Sequence, residues 1–202
     1  MLETSRLLLD GVRNDIDVTV DDVSWKVLPQ TCDALVMNPS FDAGADFWHP
    51  TERSTPHRVN IEIVEGATGV TDKAMKIFGR NHPWRGLRQR LDNSCFVPGE
   101  EYVITAMFKL THSETGEGAA CNTNNQWRSD HDPDADTPTA NCPNAVLYGH
   151  NCYDSNGDKY ANQYLRYWNT EAIDWNPNGF NRFRQVKQLQ IYLARMSGRS
   201  KL

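Results

Sequence analysis

Nowhere in this sequence do apolar residues run unbroken for the ~20 positions that a helix needs to cross a bilayer, so no helical span is predicted. The opening "LLLDGV" meets charge too soon to serve as the apolar core of a secretory leader. Positive charge is in deficit: 21 Lys and Arg stand against 26 Asp and Glu, a formal net charge of −5. A nucleic-acid partner would want a basic face, and that class is set aside. The basic end "ARMSGRSKL" is too short to reverse the balance and reads as a solvated tail. Helical periodicity over ten or more residues is missing, which leaves strands as the building material. There is no CxxC pair, no Gly-rich phosphate loop and no Ser nucleophile elbow. No Asn-x-Ser/Thr sequon has an allowed middle residue, so N-glycosylation is not expected.

What the chain does have is aromatic side chains and strand rhythm. Six Trp, seven Tyr and seven Phe, with apolar residues at 39% and charged ones at 23%, make a globular composition far from a disordered one. At 202 residues the chain can bury a substantial core in one domain, with or without an appendage. "EYVITAMFKL" (101–110) puts Tyr102, Ile104, Ala106, Phe108 and Leu110 on one face and Val103, Thr105, Met107 and Lys109 on the other. That period of two marks a half-buried antiparallel strand. "AMKIFGR" (74–80) turns Met75 and Ile77 inward, and "KQLQIYLAR" (187–195) does the same with Leu189, Ile191 and Leu193. "VNIEIVEG" (59–66) keeps the rhythm until Gly66, and Pro98-Gly99 marks a turn before the next strand. Several short strands with such punctuation predict an all-β, antiparallel sandwich.

Residues 112–158 change character. They are polar, too long for an ordinary connection, and predicted as an ordered loop insertion. Their clusters "DHDPDAD" and "DSNGD" space oxygens like the start of a calcium loop, but lack the Gly at the sixth position and the Glu at the twelfth, and read as solvated turns. Five cysteines (Cys32, Cys95, Cys121, Cys142 and Cys152) are many for a reducing compartment. They predict two disulfides, Cys32–Cys95 and Cys121–Cys142, with Cys152 left over. The alternative is a metal cluster of Cys121, Cys142, His150 and Cys152, whose spacing fits no common zinc arrangement.

Ordered short motifs give a resemblance. "LVMNPSFDAGADFWH" (35–49) is similar to the Asn-Gly-x-Phe-Glu…Trp opening of carbohydrate-binding modules of families 4, 9 and 22. Residues 61–110 then follow that family's succession of Gly-turn, apolar strand, Gly-Arg, Trp-x-Gly, Gln-x-Leu, Pro-Gly and Tyr-strand. The resemblance covers about 33–111, extends over 160–195 and is absent through the insertion. It implies a jelly-roll sandwich of the galactose-binding-like kind.

In the family the last strand carries Asp-Asp-Val and lies beside the first strand. Here "DIDVTVDDVSW" stands at the front instead. Residues 1–28 are therefore read as the terminal strand of a module: either the tail of a preceding copy, or a strand that folds back onto the module of 29–202. An unfilled place would leave a long unpaired edge, so the fold-back is expected. The resemblance further implies a structural calcium held by Asp42 with Asp21 or Asp22, completed by backbone oxygens near Ser40 and in the turn around Asp72-Lys73.

Sugar recognition needs flat apolar faces rimmed by planar hydrogen-bonding groups. By resemblance Trp84 would stack on a pyranose, with Arg80 and Gln89 nearby. "YLRYWN" (164–169) alternates Tyr164, Arg166 and Trp168 on one face, a suitable platform on a concave sheet, and Trp127 in the insertion would approach as a lid. Trp48 and Trp25 are assigned to the core. Glycoside hydrolysis would need two facing carboxylates, yet Glu62 and Glu65 lie on opposite faces by strand parity. The sequence thus predicts non-catalytic binding of polysaccharide at the cell surface or outside the cell, within a larger glycoside hydrolase or surface protein. Tandem copies would raise effective concentration. The alternative is an extracellular adhesion module that binds protein.

Overall fold

The alternation along 101–110 is realised in full: Tyr102, Ile104, Ala106, Phe108 and Leu110 are buried, and the residues between them are half-buried. The computed structural model to which they belong describes residues 2–28, 35–51, 59–83, 85–91, 100–121, 141–153, 159–169 and 175–188. Among the described residues there is no helix. The strands are β1 (Leu2–Val12), β2 (Ile16–Leu28), β3 (Trp48–Pro50), β4 (Asn60–Gly66), β5 (Gly69–Phe78), β6 (Leu87–Leu91), β7 (Glu101–His112), β8 (Asn141–Tyr153), β9 (Lys159–Asn169) and β10 (Asn181–Gln188). They pair antiparallel in two five-stranded sheets, the first ordered β3-β6-β1-β8-β9 and the second β10-β7-β2-β5-β4.

The facing sides of the sheets make one core. Leu7 and Leu9 of β1, Leu87 of β6, and Ala145 and Leu147 of β8 meet Val18, Val20 and Trp25 of β2, Met75 and Ile77 of β5, and the β7 row. Each large side chain fully removed from water contributes ~1.5–3 kcal/mol. Trp48 and Trp25 are both in this core, as their positions predicted. Trp48 packs at a tilt against buried Phe41, the ring centroids 5.4 Å apart, and donates its indole N–H to the Asn38 carbonyl at 3.0 Å. Trp25 meets Tyr102 edge-on at 6.2 Å.

The opening residues supply two strands, not one. β1 lies between β6 and β8 in the first sheet, and β2 between β5 and β7 in the second. Both are internal, so neither leaves an open ladder. Along β2 the inward phase shifts: Ile16, Val18 and Val20 face the core, then Val23, Trp25 and Val27. The register slips between Asp21 and Ser24, and Asp22 there has φ of 47°. This is a β-bulge, whose extra residue resets the alternation and re-aims the side chains beside it.

The predicted loop of 112–158 needs correction. β7 runs to His112, and residues 141–153, expected within the loop, are β8, paired on both sides with β1 and β9. Its sequence "NCPNAVLYGHNCY" is rich in Asn, Gly and Pro, residues depleted in strands, which hid it. Residues 122–140 and 154–158 lie outside the described residues, as do Leu189, Ile191 and Leu193. Gln185 and Phe183 of β10 point inward, and the strand pairs with β7 from Asn181 to Gln188.

The Cys121–Cys142 disulfide is present, with Cα atoms 4.7 Å apart. It ties the segment after β7, in the second sheet, to the start of β8, in the first. Cys32 and Cys95 lie outside the described residues.

Candidate functional site

In an antiparallel ladder directly opposed residues share a face. In the first sheet Gln89, Leu7 and Leu147 form one inward row, and Leu87, Leu9 and Ala145 the next. The residues between them face outward. Arg90 is opposite Arg6, which is opposite Tyr148; His49 is opposite Arg88, whose row continues through position 8 to Val146. Exposure falls along these rows. Arg90 and His49 are exposed, Arg6 and Arg88 half-buried, and Tyr148 and Val146 buried although they lie on the outer side. Burial on the outer face of the first sheet therefore increases from β6 towards β8, with basic side chains where the face is open and a tyrosine where it is covered.

Two of the residues predicted to contact a ligand are elsewhere. Arg80 is 4% exposed. Its guanidinium donates to the carbonyls of Val12 at 2.9 Å and Arg85 at 3.1 Å, and to those of Arg13 and Ile16. It clasps the corner where the chain passes from β1 to β2, where Gly11 N–H also reaches the Pro83 carbonyl at 3.0 Å. Gln89 is 1% exposed and inward. Its amide accepts from Met37 N–H and donates to the Met37 carbonyl, both at 2.7 Å, pairing with that backbone as a strand would. Both side chains are engaged by backbone groups beneath the surface, so the expectation that they line a sugar-binding surface is corrected.

Trp84 and Trp127 lie outside the described residues. Tyr164, Arg166 and Trp168 fall on β9, described by its backbone alone; they stand opposite Tyr148, Leu147 and Ala145. A register shift between Leu147 and Tyr148 interrupts the alternation across the predicted stripe.

Missed by the sequence reading are exposed apolar side chains beside the edge strand β3. Met37 is half exposed, and Phe47, 52% exposed, is held at φ of 70° immediately before buried Trp48. A bulky residue at such a φ is a genuine outlier. The loop behind it is tightly organised: the Asn38 side chain donates to the Gly44 carbonyl at 2.9 Å and accepts from Ala43 N–H at 3.1 Å.

The predicted calcium ligands gather near the β4–β5 turn. Asp21 is fully buried; one carboxylate oxygen accepts from Asp22 N–H at 2.7 Å, the other from Ala67 N–H at 2.8 Å. Asp72, of which the sequence reading used only the backbone, brings its carboxylate to the same turn and accepts from Thr68 N–H at 2.8 Å. Gly66 is required there: a Cβ would come within 2.6 Å of the Asp72 carboxyl and 2.8 Å of Asp21 Oδ2. Asp42 is tied in from the other loop, its carbonyl accepting from Lys73 Nζ at 3.1 Å and its carboxylate from the Ser40 hydroxyl at 2.6 Å.

Burial pushes the Asp21 carboxyl up from the ordinary 3.8 to about 6; the amides of Ala67 and Asp22 oppose this, and the charges of Asp22 and Asp72 add to it. Asp22 is raised by loss of water and then by Asp72 and Asp42. Asp72 is lowered, chiefly by the Thr68 amide. Negative charge is crowded here, and the donors are all oxygen, the chemistry a hard divalent cation prefers. Among the described residues no group of three or more His, Cys, Asp or Glu side chains is drawn together to ligate a metal.

Two five-stranded antiparallel sheets and the motif order along 33–111 converge on one comparison. Residues 33–130 match the family model of a carbohydrate binding domain. This is the family 4 and 9 type to which the motifs pointed. The match takes in the loop around Asn38, strands β3 to β7 and Cys121, while β1, β2 and β8 to β10 lie outside it. Comparison with curated proteins and with solved structures gives no match. Domains of that family are binding modules and not in themselves catalytic, and the Cys121–Cys142 bond is of the kind that persists in oxidising compartments.

Proposed function

We propose that this protein binds a polysaccharide chain on the outer face of its first sheet, without cleaving it, outside the cell or at its surface. The observation that carries the reading is the carbohydrate binding domain match over 33–130, which includes β6 and the loop leading into β3. The open side of that face, where Arg90 and His49 are exposed beside half-buried Arg6 and Arg88, supports it. Trp84 and Trp127, together with Tyr164 of β9, which stands opposite the outward Tyr148, are the stacking groups of the proposal. Affinity is modest, because shallow, wet sites bury little area, and tandem copies or an attached hydrolase raise the local concentration. The test is retention on a panel of soluble and insoluble polysaccharides, with Trp84→Ala beside the parent. Retention of the parent and about tenfold weaker retention of the variant is expected, stacking on an aromatic ring being worth on the order of 1–1.5 kcal/mol. A parent that binds no polysaccharide transfers the reading to a protein-binding adhesion module.

The same proposal includes a structural calcium held by Asp42 with Asp21 or Asp22, completed by backbone oxygens. An acid whose folded pKa is raised binds its proton more tightly when folded. The associated stability is fully present below the unfolded value and is lost as pH rises from about 4 to about 6. At ~1.4 kcal/mol per unit, ionising Asp21 costs on the order of 2–3 kcal/mol, which a cation would offset. Millimolar calcium at pH 7 should therefore raise the melting temperature of the parent by ~5–10 °C, and far less at pH 4.5. Asp21→Asn should gain nothing from calcium, and without it should melt close to the parent, because relief of the buried charge is offset by the amide nitrogen facing one of the two N–H donors. Scanning calorimetry with calcium or a chelator decides; an equal calcium shift in parent and variant would remove Asp21 from the set.

A further inference from the structure

We infer that the glycan this face takes is anionic, carrying carboxylate groups that are read by Arg6 and Arg90. The inference rests on the glycan-binding reading above and names the chemistry of its ligand.

It starts from the register of the first sheet. Arg6 and Arg90 stand directly opposite one another on neighbouring strands, both on the outer side. Like charges in that relation are destabilising. Their ladder partners offer no relief, since the remaining neighbour of Arg6 is Tyr148. Arg88 lies two residues before Arg90 on the same face, and His49 is opposite Arg88, so positive charge extends to the edge strand β3. An acid next occurs along this face of β1 at position 10, opposite Asn144, two rows beyond Arg6.

The second sheet treats its charges differently. There Lys76 meets Asp17 at 3.0 Å and stands opposite Glu62, so signs are interleaved. The chain as a whole carries a formal charge of −5, so concentrated positive charge on one face runs against the composition. A retained like-charge pair is relieved when an anion sits between its members. The guanidinium is the side chain suited to this, presenting a planar fork that matches a carboxylate with two parallel hydrogen bonds. The gradient of burial gives direction: Arg90 is exposed and reachable, Arg6 is half-buried, and Tyr148 beyond it is covered, so the anion is met at Arg90 and Arg6 and the ring that carries it stays on the open side. A uronate residue, a pyranose bearing a carboxylate, carries both features at the required scale.

The experiment is affinity electrophoresis of the intact protein, without added divalent cations, through gels containing polygalacturonate, its fully methyl-esterified form, a sulfated polysaccharide, a neutral xylan, a neutral β-glucan, or single-stranded DNA. Strong retardation by polygalacturonate is expected, lost on esterification and weakened by 0.5 M salt, which screens exposed charges. Arg90→Gln and Arg6→Gln should each weaken it roughly tenfold, while Arg182→Gln, exposed on β10 of the second sheet, leaves it unchanged. Arg90→Gln should melt no lower than the parent, since it relieves a like-charge pair. Equal retardation by the esterified or neutral polymers, or by Arg90→Gln and parent, overturns the anionic inference and leaves glycan binding standing. Equal retardation by DNA reduces the face to a general polyanion contact and overturns it too, and a preference for the sulfated polymer replaces carboxylate by sulfate as the group read. No retardation by any polysaccharide removes the glycan reading itself.

Discussion

Arg80→Met should destabilise the protein by on the order of 4 kcal/mol, and Arg80→Lys by nearly as much. The guanidinium is buried after Gly79 at the end of β5 and donates to carbonyls of Val12, Arg13, Ile16 and Arg85. Three of these belong to the corner between β1 and β2, the point where the chain leaves one sheet for the other. Hydrogen bonds to a charged donor contribute ~1.5–3 kcal/mol each, and a buried acceptor stranded without a partner costs ~1–3 kcal/mol. Methionine fills the volume without a charge, so the expected loss reflects the orphaned carbonyls and not a buried unpaired ion. Lysine keeps the charge but offers one compact ammonium where a planar fork spans several acceptors. Domains of this kind hold only ~5–15 kcal/mol in total. Urea unfolding measures the effect as a lower midpoint at unchanged slope. A midpoint within error of the parent would show that the clasp is dispensable and that β1 and β2 are held by strand pairing alone.

The contrast between Arg80 and β7 shows what a sequence can carry. Strand β7 declared itself because its apolar residues recur every second position, a signal contained in ten neighbouring residues. The burial of Arg80 depends on carbonyls 64 to 68 residues away, and backbone acceptors have no residue type by which to be recognised. The resemblance sets Arg80 beside Trp84 as a ligand contact, and nothing in the neighbouring residues speaks against it. Gln89 misled for the same reason, its partner being the Met37 backbone 52 residues earlier. The bulge of β2, by contrast, was written locally: valines at 18 and 20, then Val23 and Trp25, change phase across Asp21-Asp22. That slip by one residue was the available sign that the two acids are re-aimed. β8 was hidden by composition, since a strand paired on both edges needs no β-branched run when its neighbours fix it. The cationic face of the first sheet was hidden by separation: Arg6 and Arg90 meet only through register.

Replacing both Cys121 and Cys142 by Ser should cost ~3 kcal/mol and lower the melting temperature by ~6–12 °C. The two cysteines are separated by 21 positions, and closing a loop of that length removes conformational entropy from the unfolded chain in proportion to the logarithm of the loop. The folded side adds to this. Cys121 follows a short stretch fastened to β7, where Ala119 N–H reaches the Leu110 carbonyl at 2.9 Å and Trp175 Nε1 donates to the Ala119 carbonyl at 3.1 Å. Cys142 is buried at the start of β8. The bond thus couples a second-sheet anchor to the strand that carries Tyr148 on the covered side of the proposed binding face. Loss of the crosslink should lengthen the tether without changing the ladder between β1 and β8, so glycan retention at low temperature should survive while melting falls. Reductant applied to the parent should reproduce the drop, and reductant applied to the double variant should do nothing further. Equal melting of parent and variant would mean that the 122–140 segment is already confined in the unfolded chain. Loss of retention at 10 °C would instead mean that the bond positions the binding face directly.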